Sequence, residues 1–600
     1  MLSSNKNCLV EAGAVVTCAA LFLCLGVPFL SGSDVTSNIR DDAQLRAMRD
    51  ELERTKTLQL NNLDKPYFVA YSSDDTDQLA ASGSLGGITG VSRVRVRHPV
   101  VEIRVGSYAL DNTNTTFSGT PPLGLLPLDD DYQAIRTTLW LTSDALYKAA
   151  TDQLTRKRTA LRELSAGDEA ADLAPAKAVQ LVLPIGKLTV DQGQWEDSIR
   201  RLSGSLRKHP DVISSSVGLL AVASTYRVVN SEGTVVRIPQ DLAQVEIRAN
   251  GIAADGAPVW NHDFSMAPNA AELPAEQEIA RAVEAVATET EALRKAPLAD
   301  EYSGPVLFEG EAAPEMMAEV MTDAARLLRK PLSPPGSNER GFLDSVWASR
   351  VGTKVGPEWL TIVDDPLQKS FQGHSLLGQY QVDDQGVKAA KVVLVDKGIL
   401  KGFLLSREPV KGYSGSNGHG RLPGAYGSEA AVIGNMFVLA AQSVPEARMK
   451  AKLLERAGAA GLKYGVMIRR LDFPSTANLE ELQSLVRQLQ KNGYARTLMA
   501  PLLAYRVYPG GREELVRGFR FKEFSAKDLR DVAIASDHSY VLNYLNNGTA
   551  FNVAGLSQEA TTSAVICPSL LFENIELDRA QEEGSRPPIV SPPALSAEMK

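Results

Sequence analysis

The chain has 600 residues, 44 % hydrophobic and 22 % charged, an ordinary globular balance with room for two to four domains. With 63 Lys and Arg against 72 Asp and Glu, the net charge is −9, which excludes a protein that coats nucleic acid through clustered cations. Only one apolar run approaches membrane length, which excludes a multi-span membrane protein.

That run is Ala12 to Leu30, free of charge and preceded by Lys6. It ends with small Ser31 and Ser33 in the relation a signal peptidase reads, so residues 1–33 are expected to be a signal peptide or a single anchor. The expected location is therefore the periplasm or cell envelope, with membrane contact only through this segment. Cys8, Cys18 and Cys24 lie in or beside the run, leaving Cys567 alone downstream. A single thiol forms neither an internal disulfide nor a four-cysteine zinc site.

An exposed helix is expected over Asp41 to Lys56. Period-two alternation predicts strands at Ser92–Val96 and Val100–Val105. A charged helix over Thr142 to Leu164 and a linker at Ser165 to Pro175 close a first unit, 34–177. The second, 178–300, opens with a helix near Trp195 to Lys208. Strands follow at Ser215–Val222, Thr225–Val229, Thr234–Ile238 and Ala243–Ala249, then a helix over Ala271–Lys295.

The third unit, 301–579, starts with an apolar strand, Pro305 to Phe308, and a helix around Pro314 to Arg329. Strands are expected at Leu360–Val363, Val392–Val395, Gly402–Leu405, Leu502–Val507, Gly518–Phe521 and Leu570–Leu577. Helices are expected at Pro445–Gly458 and Asn478–Lys491. The Pro/Ser/Glu-rich tail, 580–600, is expected to be disordered. The fold class is α+β and multi-domain, with α/β N-terminal and middle units before a β-rich C-terminal domain.

No two of the six histidines (98, 209, 262, 374, 419, 538) lie within five residues of each other, so no helix presents a His pair to a metal. Neither a G-x-S-x-G elbow nor a phosphate loop is present. Cys567, with no cation or His beside it in sequence, reads as a buried inert thiol. Glu315 and Glu319 share one helix face at i, i+4 and read as solvated. The loop Gly412 to Gly427 holds six glycines with His419 and Arg421; it reads either as a flexible connection or as a ligand loop in which Arg421 clamps a carboxylate.

In the third unit an ordered set of motifs appears: IVDDP (362–366), VDDQGV (382–387), LVDKGILKGFL (394–404), SNGHGR (416–421), Gly434-Asn435 and PGGREELVRGFRF (509–521). The set resembles the TldD/PmbA (TldD/TldE) family of zinc-dependent peptidases and their inactivated relatives. Asn230–Gly233 and Ala254–Gly256 are similar to that family's middle region. The resemblance spans roughly 177–577 and implies a β-rich C-terminal domain that forms a peptide cleft.

Active members carry HExxxH on the helix after the strand resembling Pro305–Phe308. Here that stretch, Glu309 to Ala325, reads EGEAAPEMMAEVMTDAA and has no histidine. The chain therefore resembles the PmbA/TldE side, and no catalytic or metal residue is assigned. The resemblance implies extended or unfolded peptide as ligand, with His419, Arg421 and Asn435 as candidate peptide-binding residues. It also implies a homo- or heterodimer with a family member and no cofactor. Two alternatives stand: an active metallopeptidase holding zinc at an unconventional site, and an envelope scaffold.

Overall fold

The computed structural model describes residues 41–61, 63–116, 124–164, 170–333, 345–423, 429–473, 498–546 and 561–580. The leader, the expected helix at 478–491 and the tail beyond Ala580 lie outside these residues. Among the described residues, no helix is long and apolar enough to cross a membrane.

The N-terminal half is built on one six-stranded sheet. Its strands are β1 (Pro66–Ser84), β2 (Gly87–Val105), β3 (Gln180–Val182), β4 (Ser214–Asn230), β5 (Val235–Ile252) and β6 (Pro258–Ala267). The main order is β2-β1-β4-β5-β3, with β6 also on β5. Because β1 pairs antiparallel with both β2 and β4, the sheet runs across the division at 177/178. The expected strand pairs on either side of residues 98, 223 and 240 are single long strands.

Alternation along these strands sends odd-numbered residues to one face. There Val69, Tyr71, Val101 and Ile103 pack under the helices Ala43–Thr55 and Tyr132–Leu164. Farther along the same face, Ala81, Leu219, Val245 and Ile247 pack under Gln192–Ser205 and Glu276–Lys295. Two of these helices start on an aspartate cap, Asp42 accepting from Leu45 N and Asp191 from Gln194 N. All four helices thus cover one face.

The even-numbered face meets the C-terminal domain. Val382 joins Val228, Val236 and Ile238 in a small core, and Tyr226 donates to the Asp384 carbonyl at 2.9 Å. Arg407 lies 4.9 Å from the Phe68 ring centroid, and Arg104, 1 % exposed, reaches Glu408 at 3.0 Å.

The C-terminal domain carries an eleven-stranded sheet organised by Thr561–Arg579. This strand pairs parallel with Asn435–Ala440 and antiparallel with β7 (Tyr302–Phe308), Phe519–Phe521 and Val532–Asn546. Beside β7 runs Gly465–Leu471, parallel to it. Expected Gly402–Leu405 forms only an isolated bridge, from Leu404 to Arg326. Phe308, Phe521, Phe524 and Phe572 stack into an aromatic cluster beneath the helix Ala312–Ala324.

Candidate functional site

The 312–324 helix follows β7 through Gly310, which has φ +65° and takes the turn without strain. Pro314 sits in its first turn, where no intrahelical N–H is needed. Alanine and methionine then bury it nearly all round.

The expectation of a solvated Glu315 is overturned. Its side chain is 2 % exposed and accepts the Leu471 N–H at 2.7 Å. The partner lies 156 residues away, on the strand neighbouring β7, which is why helix spacing gave no sign of it. Burial pushes the Glu315 carboxyl well above the usual carboxylate range, with Glu311 and Glu319 adding to the shift. Glu319, half-buried, accepts from Met499 N at 2.9 Å.

Against this end of the helix stand His262 and Asp263 of β6. Arg470 donates to Asn261 Oδ1 at 3.2 Å and lies 3.6–3.8 Å from Asp263, Glu289 and Glu311. Burial lifts Asp263 to about 6 despite Arg470. His262 is 1 % exposed, and neither ring nitrogen has a hydrogen-bond partner among the described residues. Asp472 Oδ1 stands 3.9 Å from its Nε2 and accepts instead from Trp260 Nε1. Burial and the guanidinium groups of Arg470 and Arg248 hold His262 down at about 3, so the ring is neutral at physiological pH. Sequence reasoning passed over this cluster; a lone histidine on a strand that was itself missed carries no spacing signal.

His419 and Asn435 come together at Asp364, Arg421 stands beside Tyr380, and all three are interior. His419 is fully buried, with Nε2 3.1 Å from Asp364 Oδ1 and Nδ1 3.1 Å from the Asn417 carbonyl. Asp364 also accepts the Gly434 N–H. Asn435 donates to the carbonyls of Asp365 and Gln368. Gly378 lies so near that a Cβ would fall 2.6 Å from Asn435 Oδ1.

Arg421, 6 % exposed, stacks 4.3 Å from the Tyr380 ring centroid and donates to the Thr562 carbonyl at 2.9 Å. Asp383 takes the N–H groups of Gln385, Val387 and Gly420, while burial pushes its carboxyl up to about 8. The three candidate residues therefore fasten the 364, 383 and 419 segments to each other, and none is open to an incoming peptide in this state. Cys567 is fully buried, its thiol raised by desolvation.

Among the described residues, no three His, Cys, Asp or Glu side chains converge as a metal-ligand set. What the 312–324 region offers is a neutral imidazole, two carboxyl groups raised by burial, and the guanidinium groups of Arg470 and Arg248. Such groups can hold a polar chain, and they differ from the two-histidine pattern that the resemblance attaches to this helix.

Residues 301–478 match the model of the PmbA/TldA metallopeptidase C-terminal domain. A metalloprotease of Methanothermobacter thermautotrophicus is 26 % identical over 198 residues, 33 % of this chain and 40 % of that relative's length. One from Archaeoglobus fulgidus is 41 % identical over 80 residues, 13 % of this chain and 17 % of the relative. TldE from Thermococcus kodakarensis superposes with a TM-score of 0.54 at 16 % identity, covering 89 % of this chain and all of that one. A solved structure from Thermotoga maritima gives 0.53 at 14 % identity, over 85 % of this chain and 96 % of its own. The chain spans two fifths of the first metalloprotease but the whole length of TldE, and the structural likeness concerns the fold. The C-terminal domain thus matches that of the PmbA/TldA metallopeptidases, and the sequence relatives and the fold of the solved structures support a likeness to the TldD/PmbA family.

Proposed function

We propose that this chain is a non-catalytic, TldE-like member of the family that binds extended or unfolded peptide in proteolysis. The observation that carries the reading is the 312–324 helix. Where the resemblance calls for two histidines it has none, and its most buried carboxylate is tied to the Leu471 N–H. Capture of a peptide needs backbone groups and a cleft rather than a metal. His419, Arg421 and Asn435 act in this reading by holding the cleft wall in shape. Export through the 12–30 segment and pairing with a family member, as a homo- or heterodimer, belong to the same proposal.

The test is metal analysis of the purified chain after dialysis without chelator, together with fluorescence anisotropy using labelled, reduced and carboxymethylated lactalbumin. Metal-free protein that binds the unfolded polypeptide supports the reading. Zinc near one per chain with hydrolysis of the probe would move the chain to the active metallopeptidases. Protein that neither binds nor cleaves would fit the envelope scaffold.

A further inference from the structure

The even-numbered face of the N-terminal sheet is covered by the C-terminal domain near Phe68 and Tyr226 and is hollow farther along the strands. The hollow measures about 400 Å³. Strand register builds its floor as two adjacent rows. One runs Ser92, Ala80, Leu220, Gln244, and the other Gly90, Ser82, Gly218, Glu246. Each row crosses four strands, about 14 Å at the usual strand spacing.

Small side chains alone do not make a site, and here a second feature points to a ligand. Gln244 lines the hollow, is 7 % exposed, and its carboxamide makes no hydrogen bond to any described residue. Its amide faces the hollow, where a fixed donor and acceptor from a ligand can take the place of solvent. The backbone of an extended peptide supplies both.

The hollow is also continuous with an interface already in place. The second row leads from Glu246 to Phe264 of β6, which stacks on Phe473 of the C-terminal domain at 6.4 Å. Phe473 follows Leu471 and Asp472, beside the 312–324 helix. The row that floors this trough therefore leads from the sheet's β2 edge to β6 and, through Phe264, to the C-terminal domain.

We propose that this trough is the peptide subsite: an unfolded polypeptide lies extended across β2, β1, β4 and β5, its backbone close to Gly90, Ser82 and Gly218 and one of its peptide groups paired with the Gln244 carboxamide. The proposal rests on the peptide-binding reading and gives it a location. Recognition through backbone groups over a floor of small residues implies a ligand chosen for being unfolded rather than for one side chain.

The glycines allow a clean test. A Cβ on Gly218 would meet only the Ala81 carbonyl at 3.5 Å, and one on Gly90 only Ser82 Oγ at 3.6 Å, both ordinary contacts at backbone angles that L-residues adopt. The double variant Gly90→Val, Gly218→Val fills the trough with residues suited to strands. Its Tm should equal or exceed that of the parent, while its Kd for labelled carboxymethylated lactalbumin rises at least about tenfold. Gln244→Met keeps the volume, removes the amide, and should raise Kd about three- to tenfold. If the parent binds and the filled variant, folded by its Tm, binds within twofold, the trough is the wrong place and peptide binding itself stands. Should the parent fail to bind, the reading and the subsite fall together.

Discussion

His419 is fully buried and His262 is 1 % exposed, yet they are served in opposite ways. His419 meets oxygen at both ring nitrogens, and its partners Asp364 and Asn417 are in turn held by backbone groups. His262 meets no hydrogen-bond partner among the described residues and is kept neutral between two guanidinium groups. A buried polar cluster satisfied in full rigidifies the fold, whereas one left short is stored cost that a ligand could relieve. By that criterion the region around His419 is largely architecture, although Asn435 Oδ1 there is also without a hydrogen-bond partner among the described residues, while the ground between β6 and the 312–324 helix carries the unserved imidazole.

The severest way to break this contrast is to cut the satisfied cluster. Asp364→Ala strands both His419 Nε2 and the Gly434 N–H inside the protein. Leaving buried hydrogen-bonding groups without their partner costs about 1–3 kcal/mol each. Denaturant unfolding should show a loss of that order with an unchanged m-value; a loss under about 1 kcal/mol would mean that the cluster is not what fastens the 419 segment.

The under-satisfied side should reveal itself through pH. Asp263 and Glu315 both bind their protons more tightly folded than unfolded. A raised carboxyl contributes no penalty below its unfolded pKa and costs stability as pH climbs from there toward the folded value. For Asp263 that window runs from about 4 to about 6, two units at about 1.4 kcal/mol each, so on the order of 2–3 kcal/mol. Asp263→Asn and Glu315→Gln should flatten the fall in stability between pH 4 and pH 7, Glu315→Gln while keeping an acceptor for Leu471 N. Thermal melts across that range decide it: parallel curves for parent and variants would remove the reserve.

A smaller effect sharpens the other side. Arg421→Ala loses the stack on Tyr380 and the bond to the Thr562 carbonyl. These are worth about 1–2 kcal/mol together. Peptide affinity should stay within twofold, because the guanidinium is 6 % exposed. A tenfold loss of affinity at unchanged stability would restore Arg421 to the cleft.

The contrast also explains what could be read from the chain. Helices with dense periodicity, such as Ala43–Thr55 and Glu276–Lys295, were legible, and so were the ordered turn motifs that carry the family resemblance. The strand β1 was not, because Asp74, Asp75 and Asp77 give its centre the look of a loop. In the sheet Asp77 meets Arg93 at 2.8 Å, and Asp75 meets Arg97 at 3.0 Å, so cross-strand pairing supplies what local propensity denies. The 364/419/435 grouping was visible as motifs in order, but their burial was not. Missing β6 hid His262 as well, since a side chain that lacks partners leaves no spacing to find.

The smallest expected effect is the most diagnostic. Replacing His262 by Leu deletes an imidazole that has no hydrogen bond to lose and leaves no partner stranded. It fills most of the same space with apolar atoms against Phe264 and its neighbours. Where a buried polar group is unsatisfied, an apolar residue of similar shape is neutral or stabilising, so His262→Leu should change unfolding free energy by no more than about 1 kcal/mol. His419→Leu, an identical substitution at an equally buried site, removes the contacts with Asp364 and Asn417 and should cost several times more. Equal losses in the two variants would erase the distinction between the two histidines. A stable His262→Leu protein with altered peptide affinity would instead show that the imidazole's unmet hydrogen bonds are kept for the ligand.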